Sequence, residues 1–253
     1  MLFRTGRIVL ISMLMLCLSL TAVAQESTPD EARVWDGKSR YNILVMGLDR
    51  RPDEGERLTR TDMIMVVSYD PQEPRLGILR MPRDMRFAVP GTDDLQRVNS
   101  VIVLAEENQP GTGIQTMVDT VQVNLGMYID AYILFDFDAF ITLVDALDGI
   151  EINVPYQIVD NTFPDMNYRF DPLRLNPGVQ TLDGYDTLRY ARTRHGDNDY
   201  VRGERQLQVI DAIRDRLQNR EVLQALVAAA PALLDDLDGH LYTNMRPEST
   251  VFI

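Results

Sequence analysis

Five arginines, Arg189, Arg192, Arg194, Arg202 and Arg205, crowd into residues 188–206 of a chain that carries a net charge of −13. Guanidiniums concentrated in an acidic protein suggest an anion to hold. Residues 187–192 alternate as a β-strand does, which projects Arg192 and Arg194 from one side. Arg202, Arg205 and Gln206 stand at i, i+3 and i+4, so a helix starting near Asp199 presents all three on one face. A strand ending in paired guanidiniums, a short Gly/Asp/Asn turn and a helix N-terminus with further donors make a concave oxyanion site, with phosphate or pyrophosphate as the natural ligand.

A second set of charged residues lies earlier in the chain. Residues 42–48, NILVMGL, read as a buried strand, 63–69 as a second strand, 70–74 (DPQEP) as a turn and 75–81 as a third strand. If the three run up, down and up, Asp49, Arg60, Asp62, Arg83 and Asp84 share one edge of the sheet. Pro82 holds Met81 extended and so delivers Arg83 at a defined strand end. Two carboxylates without a nearby His or Cys favour a hard cation such as Mg²⁺ shared with phosphate oxygens, and arginines around that phosphate would offset charge in phosphoryl transfer. Acidic residues at strand ends also cap turns or stay solvated, so this pair is informative only alongside the arginine set, with which it would meet if both edges face one cleft.

His195 lies among the arginines and His240 in a loop, and neither is given a role at this stage. Lys38 is the one lysine against twenty-four arginines. Base composition explains such a bias, so only arginine spacing carries weight. Residues 1–24 have the pattern of a secretory signal or N-terminal membrane anchor: Arg4 and Arg7, an apolar run over 8–20, then Ala22-Val23-Ala24. Removing this segment, which has two arginines and no acids, leaves a net charge of −15 and takes away Cys17, the sole cysteine. An exported domain without disulfides is expected, and its negative charge argues against nucleic-acid binding.

Residues 25–40 read as a linker and 41–253 as one α/β domain with a mixed central sheet flanked by helices on both sides. Within it, 112–125 and 137–147 show helical periodicity, 128–135 and 150–154 read as strands, and 156–178 as an irregular loop or extended ribbon. Leu207, Ile210, Ile213 and Leu217 supply the buried face of the helix after the arginine turn, and 221–237 forms another helix.

Four segments in this order, NILVMGLDRR, RTDMIMVVSYDP, GILRMPRD and DGYDTLRYARTRHGDNDYVRGERQ, resemble the LytR-CpsA-Psr family of cell-wall glycopolymer ligases. The resemblance covers residues 41–237, and its D-x-x-R-x-x-R-Q element is highly specific. It implies an extracytoplasmic phosphotransferase at the cell envelope that moves a glycopolymer from a polyprenyl-pyrophosphate carrier to peptidoglycan through a phosphodiester, with Mg²⁺ or Mn²⁺ as cofactor and the membrane surface nearby. By motif, Asp49 and Asp62 match metal-binding aspartates. Arg60 and Arg83, with Arg192, Arg194, Arg202, Arg205 and Gln206, match the pyrophosphate-binding set, and Asp199 the residue that orients the arginines.

The chain departs from the family pattern at Arg80 and Met85 and at Asp148-Gly149 in place of a glycine pair, and it lacks the glycine pair expected after the Arg97/Asn99 region, with Glu106-Glu107-Asn108 nearby. These positions bear on acceptor choice more than on the reaction. A short member of the family and an incomplete reading frame both fit an end at Ile253. Two other readings of the same residues are a hydrolase of the lipid-linked pyrophosphate and a non-catalytic polyprenyl-phosphate-binding assembly protein.

Overall fold

The structure is a computed structural model, and it describes residues 35–51, 54–55, 57–73, 75–167, 169–193 and 199–245, with the side chain of Asp199 excepted. The expected signal or anchor at 1–24, most of the linker, Arg194 and His195 lie outside the described residues. The fold is mixed α/β with a central mixed sheet, as expected, and the chain forms two compact units. The first holds residues up to 50, 56–136 and from 239 onward, and the second 51–55 and 137–238.

The first unit is built on a five-stranded sheet. Strands β1 (Tyr41–Leu48), β2 (Thr61–Asp70) and β3 (Arg75–Arg80) form an antiparallel meander. β6 (Ala131–Phe135) joins β1 in parallel, and β11 (Leu241–Thr243) closes the order β11-β6-β1-β2-β3. A small hairpin, β4 (Arg86–Ala88) with β5 (Leu95–Arg97), follows the meander. Alternation sorts the strand residues between two faces. Leu44, Met46, Leu48, Ile64, Val66 and Leu134 point to one face and pack with helices α1 (Val101–Asn108) and α2 (Gly113–Leu125). Tyr41, Ile43, Tyr69, Ala131 and Ile133 point to the other. Packing there begins at Trp35, buried against Tyr41 and Tyr69 within the stretch read as a linker.

α2 begins at Gly113 because the helices touch there: an added Cβ would come within 2.9 Å of the Ile102 carbonyl. The Glu106 carboxylate accepts from the Gly111 and Gly113 amides at 2.8 and 2.7 Å. Glu106 therefore satisfies the first amide of the next helix from the side of the preceding one.

In the second unit, α3 (Phe137–Ala146) runs into a turn at Asp148 and Gly149, both with positive φ. A Cβ at Gly149 would meet the Leu182 carbonyl at 2.8 Å, so this glycine is sterically required, whereas Asp148 adopts a left-handed conformation open to Asp. β7 (Ile150–Val154) pairs with β10 (Gly178–Leu182), and β8 (Ile158–Asp160) with β9 (Leu173–Leu175), so the ribbon expected over 156–178 contains a real hairpin.

The expected strand at 187–192 is instead α4 (Gly184–Arg192). Asp183 caps it, its carboxylate accepting from the Asp186 amide at 2.8 Å. Of its buried residues, Gly184, Thr187, Leu188 and Ala191 recur at helical spacing, and Tyr190 is buried beside them. α5 (Asp199–Leu217) and α6 (Arg220–Leu237) follow. The buried face of α5 also differs from the expected one. Leu217 is buried as expected and Ile210 and Ile213 are half-buried, but Leu207 is exposed while Arg202, Arg205 and Val209 are buried, so arginines share the inward stripe with apolar residues. Among the described residues no helix is long and apolar enough to cross a membrane.

Candidate functional site

The first-unit group forms at the end of the β1–β2 ladder. Asp49 N–H donates to the Arg60 carbonyl at 2.8 Å, and Thr59 Oγ1 donates to the Asp49 carbonyl at 2.9 Å. The strands therefore stay paired one step beyond Leu48. The register changes just before this point, from Gly47–Met63 to Leu48–Thr61, which makes Asp62 the extra residue of a β-bulge. A bulge bends the strand and re-aims a side chain that strict alternation would direct elsewhere. Thr61, opposite Leu48, is buried, whereas Asp62 is half-buried.

Arg83 comes from the turn after β3. Met81 N–H still bonds to the Ile64 carbonyl, Met85 N–H to the Pro82 carbonyl and Asn99 N–H to the Arg83 carbonyl at 3.2 Å. This pinned loop sends the Arg83 Nη1 to Asp62 Oδ2 at 2.6 Å, while its Nε lies 3.7 Å from Asp84 Oδ2. Arg97 Nη1 reaches Asp84 Oδ1 at 3.8 Å. Of the residues expected on this edge, Asp49 and Arg60 meet through the backbone and Asp62 and Arg83 through their side chains. Arg60 and Asp84 are exposed. Asp49 and Asp62 offer oxygen donors only, half-buried at the paired ends of two strands, and this donor set fits a hard divalent cation such as Mg²⁺.

In the second unit, the α4–α5 pair places the arginines. Arg192, in the last turn of α4, sets its guanidinium 3.9 Å from the Phe137 ring centroid and 5.7 Å from that of Phe163. Stacking holds a guanidinium by its face and leaves its in-plane N–H groups directed outward along the plate. Arg189, one turn earlier, bonds to Asp186, to the Asp171 and Pro172 carbonyls, and lies over Tyr185 and Phe163. Arg205 is buried and donates Nη1–H to the carbonyls of Tyr190 and Thr193 at 3.2 and 2.9 Å, satisfying the C-terminus of α4. Thr193 Oγ1 donates to the buried Asp160 carboxylate at 2.8 Å, a second tie on the same segment. Arg202 is buried beside Arg205 on α5 and Gln206 is half-buried, so the face expected from their spacing is present. α5 does start at Asp199, whose side chain, like all of Arg194, lies outside the described residues.

Three residues passed over in the sequence belong to this chemistry's surroundings. Arg50, beside Asp49, is buried with Asp136, and His240 Nδ1 lies 2.7 Å from the same Asp136 Oδ2. A buried arginine next to a candidate ligand is a signal, but a chain with twenty-four arginines gives no means of singling it out.

Known proteins give the geometry its setting. The chain is 27% identical over 213 residues to the polyisoprenyl-teichoic acid–peptidoglycan teichoic acid transferase TagV of Bacillus subtilis (strain 168), covering 83% of this chain and 51% of that protein. It is 29% identical over 192 residues to the transferase of the same description, TagT, from the same strain, covering 75% of this chain and 56% of the relative. The chain thus spans little more than half the length of these relatives. The crystal structure of B. subtilis TagV matches with a TM-score of 0.64 at 26% identity, covering 85% of this chain and 78% of that one. With residues 16–252 matching the LytR_cpsA_psr family, nearly the whole sequence from strand edge to arginine helix is accounted for, and the chain belongs to that family.

Proposed function

We propose that this protein is an extracytoplasmic phosphotransferase that moves a glycopolymer from a polyprenyl-pyrophosphate carrier onto peptidoglycan. The observation that carries this reading is the β1–β2 edge, where a bulge turns Asp62 toward Arg83, 2.6 Å away, beside Asp49. The relatives named as teichoic acid transferases support the choice of reaction and of acceptor.

In this reading Asp49 and Asp62 would hold Mg²⁺ or Mn²⁺, which would supply Lewis-acid neutralisation of phosphate charge. Arg83, placed at this edge by its bond to Asp62, donates to a phosphate oxygen, and Arg60 adds an exposed guanidinium at the same edge. Arg192, Arg194, Arg202, Arg205 and Gln206 carry pyrophosphate charge, with Asp199 orienting them. A hydroxyl oxygen of the acceptor sugar attacks the polymer-proximal phosphorus. The bond from that phosphorus to the bridging oxygen breaks, polyprenyl phosphate leaves, and the hydroxyl proton passes to an aspartate of the edge. The arginines stabilise charge as it shifts to the leaving phosphate. The membrane carrying the lipid and the cell wall carrying the acceptor put the work at the envelope surface.

The test supplies the purified protein with Mg²⁺, a polyprenyl-pyrophosphate glycan and peptidoglycan fragments. Polyprenyl phosphate and a phosphodiester-linked product are expected. Release of polyprenyl phosphate without any linked product would make the protein a hydrolase. Binding of the lipid that is unchanged by EDTA, without turnover, would make it a carrier.

A further inference from the structure

Arg50 is the residue directly after Asp49, and it is only 5% exposed. Its Nε donates to Asp136 Oδ2 at 2.9 Å, and its Nη2 donates to the same oxygen and to the Gly239 carbonyl. Nη1 reaches the Tyr242 hydroxyl at 3.3 Å, and that hydroxyl donates to the Gly239 carbonyl at 2.9 Å. His240 Nδ1 lies 3.4 Å from Arg50 Nη2 as well as 2.7 Å from Asp136, and Asp136 N–H donates to the His240 carbonyl at 3.1 Å. One guanidinium therefore ties together the ends of β1 and β6 and the approach to β11. Burial opposes the charge on Arg50, but the hydrogen bonds to Tyr242 and Asp136 outweigh it and raise its pKa above the ordinary value, so it stays cationic.

Stability alone gives a weak reason for such a group. A buried ion pair contributes little net free energy, and apolar residues of the same volume often serve as well. The pair does supply direction, because a planar guanidinium bound along its edge fixes the main chain that carries it. Asp49 is held on its other flank by the Arg60 and Thr59 bonds. Its backbone is thus clamped from β2 on one side and from β6 and β11 on the other.

We propose that Arg50, anchored on Asp136, is a positioning residue that sets the bearing of the Asp49 carboxylate toward the divalent cation. The inference rests on the reading of Asp49 as a cation ligand. Partners that orient a metal ligand typically influence affinity by about 10–100-fold.

The experiment compares wild type with Arg50→Met/Asp136→Leu, which removes both charges together, and with Arg50→Lys, which keeps the charge and loses the fork. Calorimetric Mn²⁺ binding is measured alongside thermal unfolding and the Mg²⁺ dependence of turnover. The double variant is expected to unfold near the wild-type temperature, to bind Mn²⁺ about tenfold more weakly, and to recover most of its turnover at high Mg²⁺. Arg50→Lys is expected to show a smaller loss of affinity in the same direction, and it decides the matter if the double variant does not fold. Wild-type Mn²⁺ affinity in a folded double variant, or in Arg50→Lys, overturns the proposal. Asp49→Ala separates the two levels: if it binds Mn²⁺ as wild type does, the ligand assignment fails and the proposal with it; if it loses binding while the Arg50 variants keep theirs, only the positioning role fails.

Discussion

Arg83 and Asp62 form a direct guanidinium–carboxylate bond of 2.6 Å although the two residues belong to different strand ends, because a bulge brings one and a proline-led turn brings the other. Each side chain is about a quarter exposed, 23% and 27%. Asp62→Asn is expected to cost roughly 1 kcal/mol of stability or less, while turnover falls about 100-fold or more from the loss of electrostatic stabilisation. Urea unfolding and steady-state kinetics on the same preparation check the split.

Phe137 holds Arg192 by its face, with 3.9 Å from guanidinium carbon to ring centroid. Phe137→Leu keeps an apolar side chain and removes the ring. The expected loss is about 1 kcal/mol of orientation, seen as a roughly fivefold rise in KM for the pyrophosphate substrate with kcat little altered. A fall in kcat with unchanged KM would contradict this assignment.

Arg205 differs from Arg192 in being buried and bonded to the Tyr190 and Thr193 carbonyls. Arg205→Ala leaves those carbonyls without this donor, and a loss of about 2–3 kcal/mol in unfolding free energy is expected. Arg192→Ala, at a half-buried position, is expected to lose activity with a much smaller change in stability. Denaturation midpoints for the two variants separate the carbonyl bonds that Arg205 adds to the fold from the smaller stability contribution of Arg192.

Burial pushes the Tyr190 phenol up to about 12, against the opposing pull of Arg205. Its hydroxyl donates to Gln208 Oε1 at 2.5 Å. The unfolded phenol ionises near pH 10, so the folded state holds the proton more tightly between roughly pH 10 and 12. The corresponding stability is fully present below pH 10 and is lost as pH rises toward 12, by up to about 3 kcal/mol. Tyr190→Phe should flatten that part of the profile of urea midpoint against pH.

The strand edge was legible because its determinants are local. Continuous apolar runs at 42–48 and 63–69 and the turn at 70–74 require an antiparallel meander, and the meander puts Asp49, Asp62 and Arg83 at one end. The bulge at Asp62 was not legible, since a register step depends on pairing with β1 and leaves no local mark. Residues 187–192 misled because T-L-R-Y alternates in polarity over a stretch too short to separate a period of 2 from one of 3.6. The deciding signal was the cap at Asp183, four residues upstream of the segment. Spacing alone puts Arg202 and Arg205 on one helix face but does not reveal that this face points inward, because arginine at a buried position looks the same as arginine in water. His240 was set aside for a similar reason: its partners, Arg50 and Asp136, lie far away in the chain.

The β11 edge of the five-stranded sheet, made from the far end of the chain, bears on how the protein reaches its folded state. Tyr132 in β6 donates its amide to Asn244, 112 residues further along, and β11 adds its three residues to the same side of β6. Until that distant segment is available, an apolar strand, AYILF, keeps one ladder of donors and acceptors open. Such non-local closure slows folding and prolongs exposure to intermolecular strand pairing. A newly made chain therefore has its most adhesive interval while the second unit is being completed, and removing residues from 241 onward is expected to give aggregates instead of a shortened, folded protein.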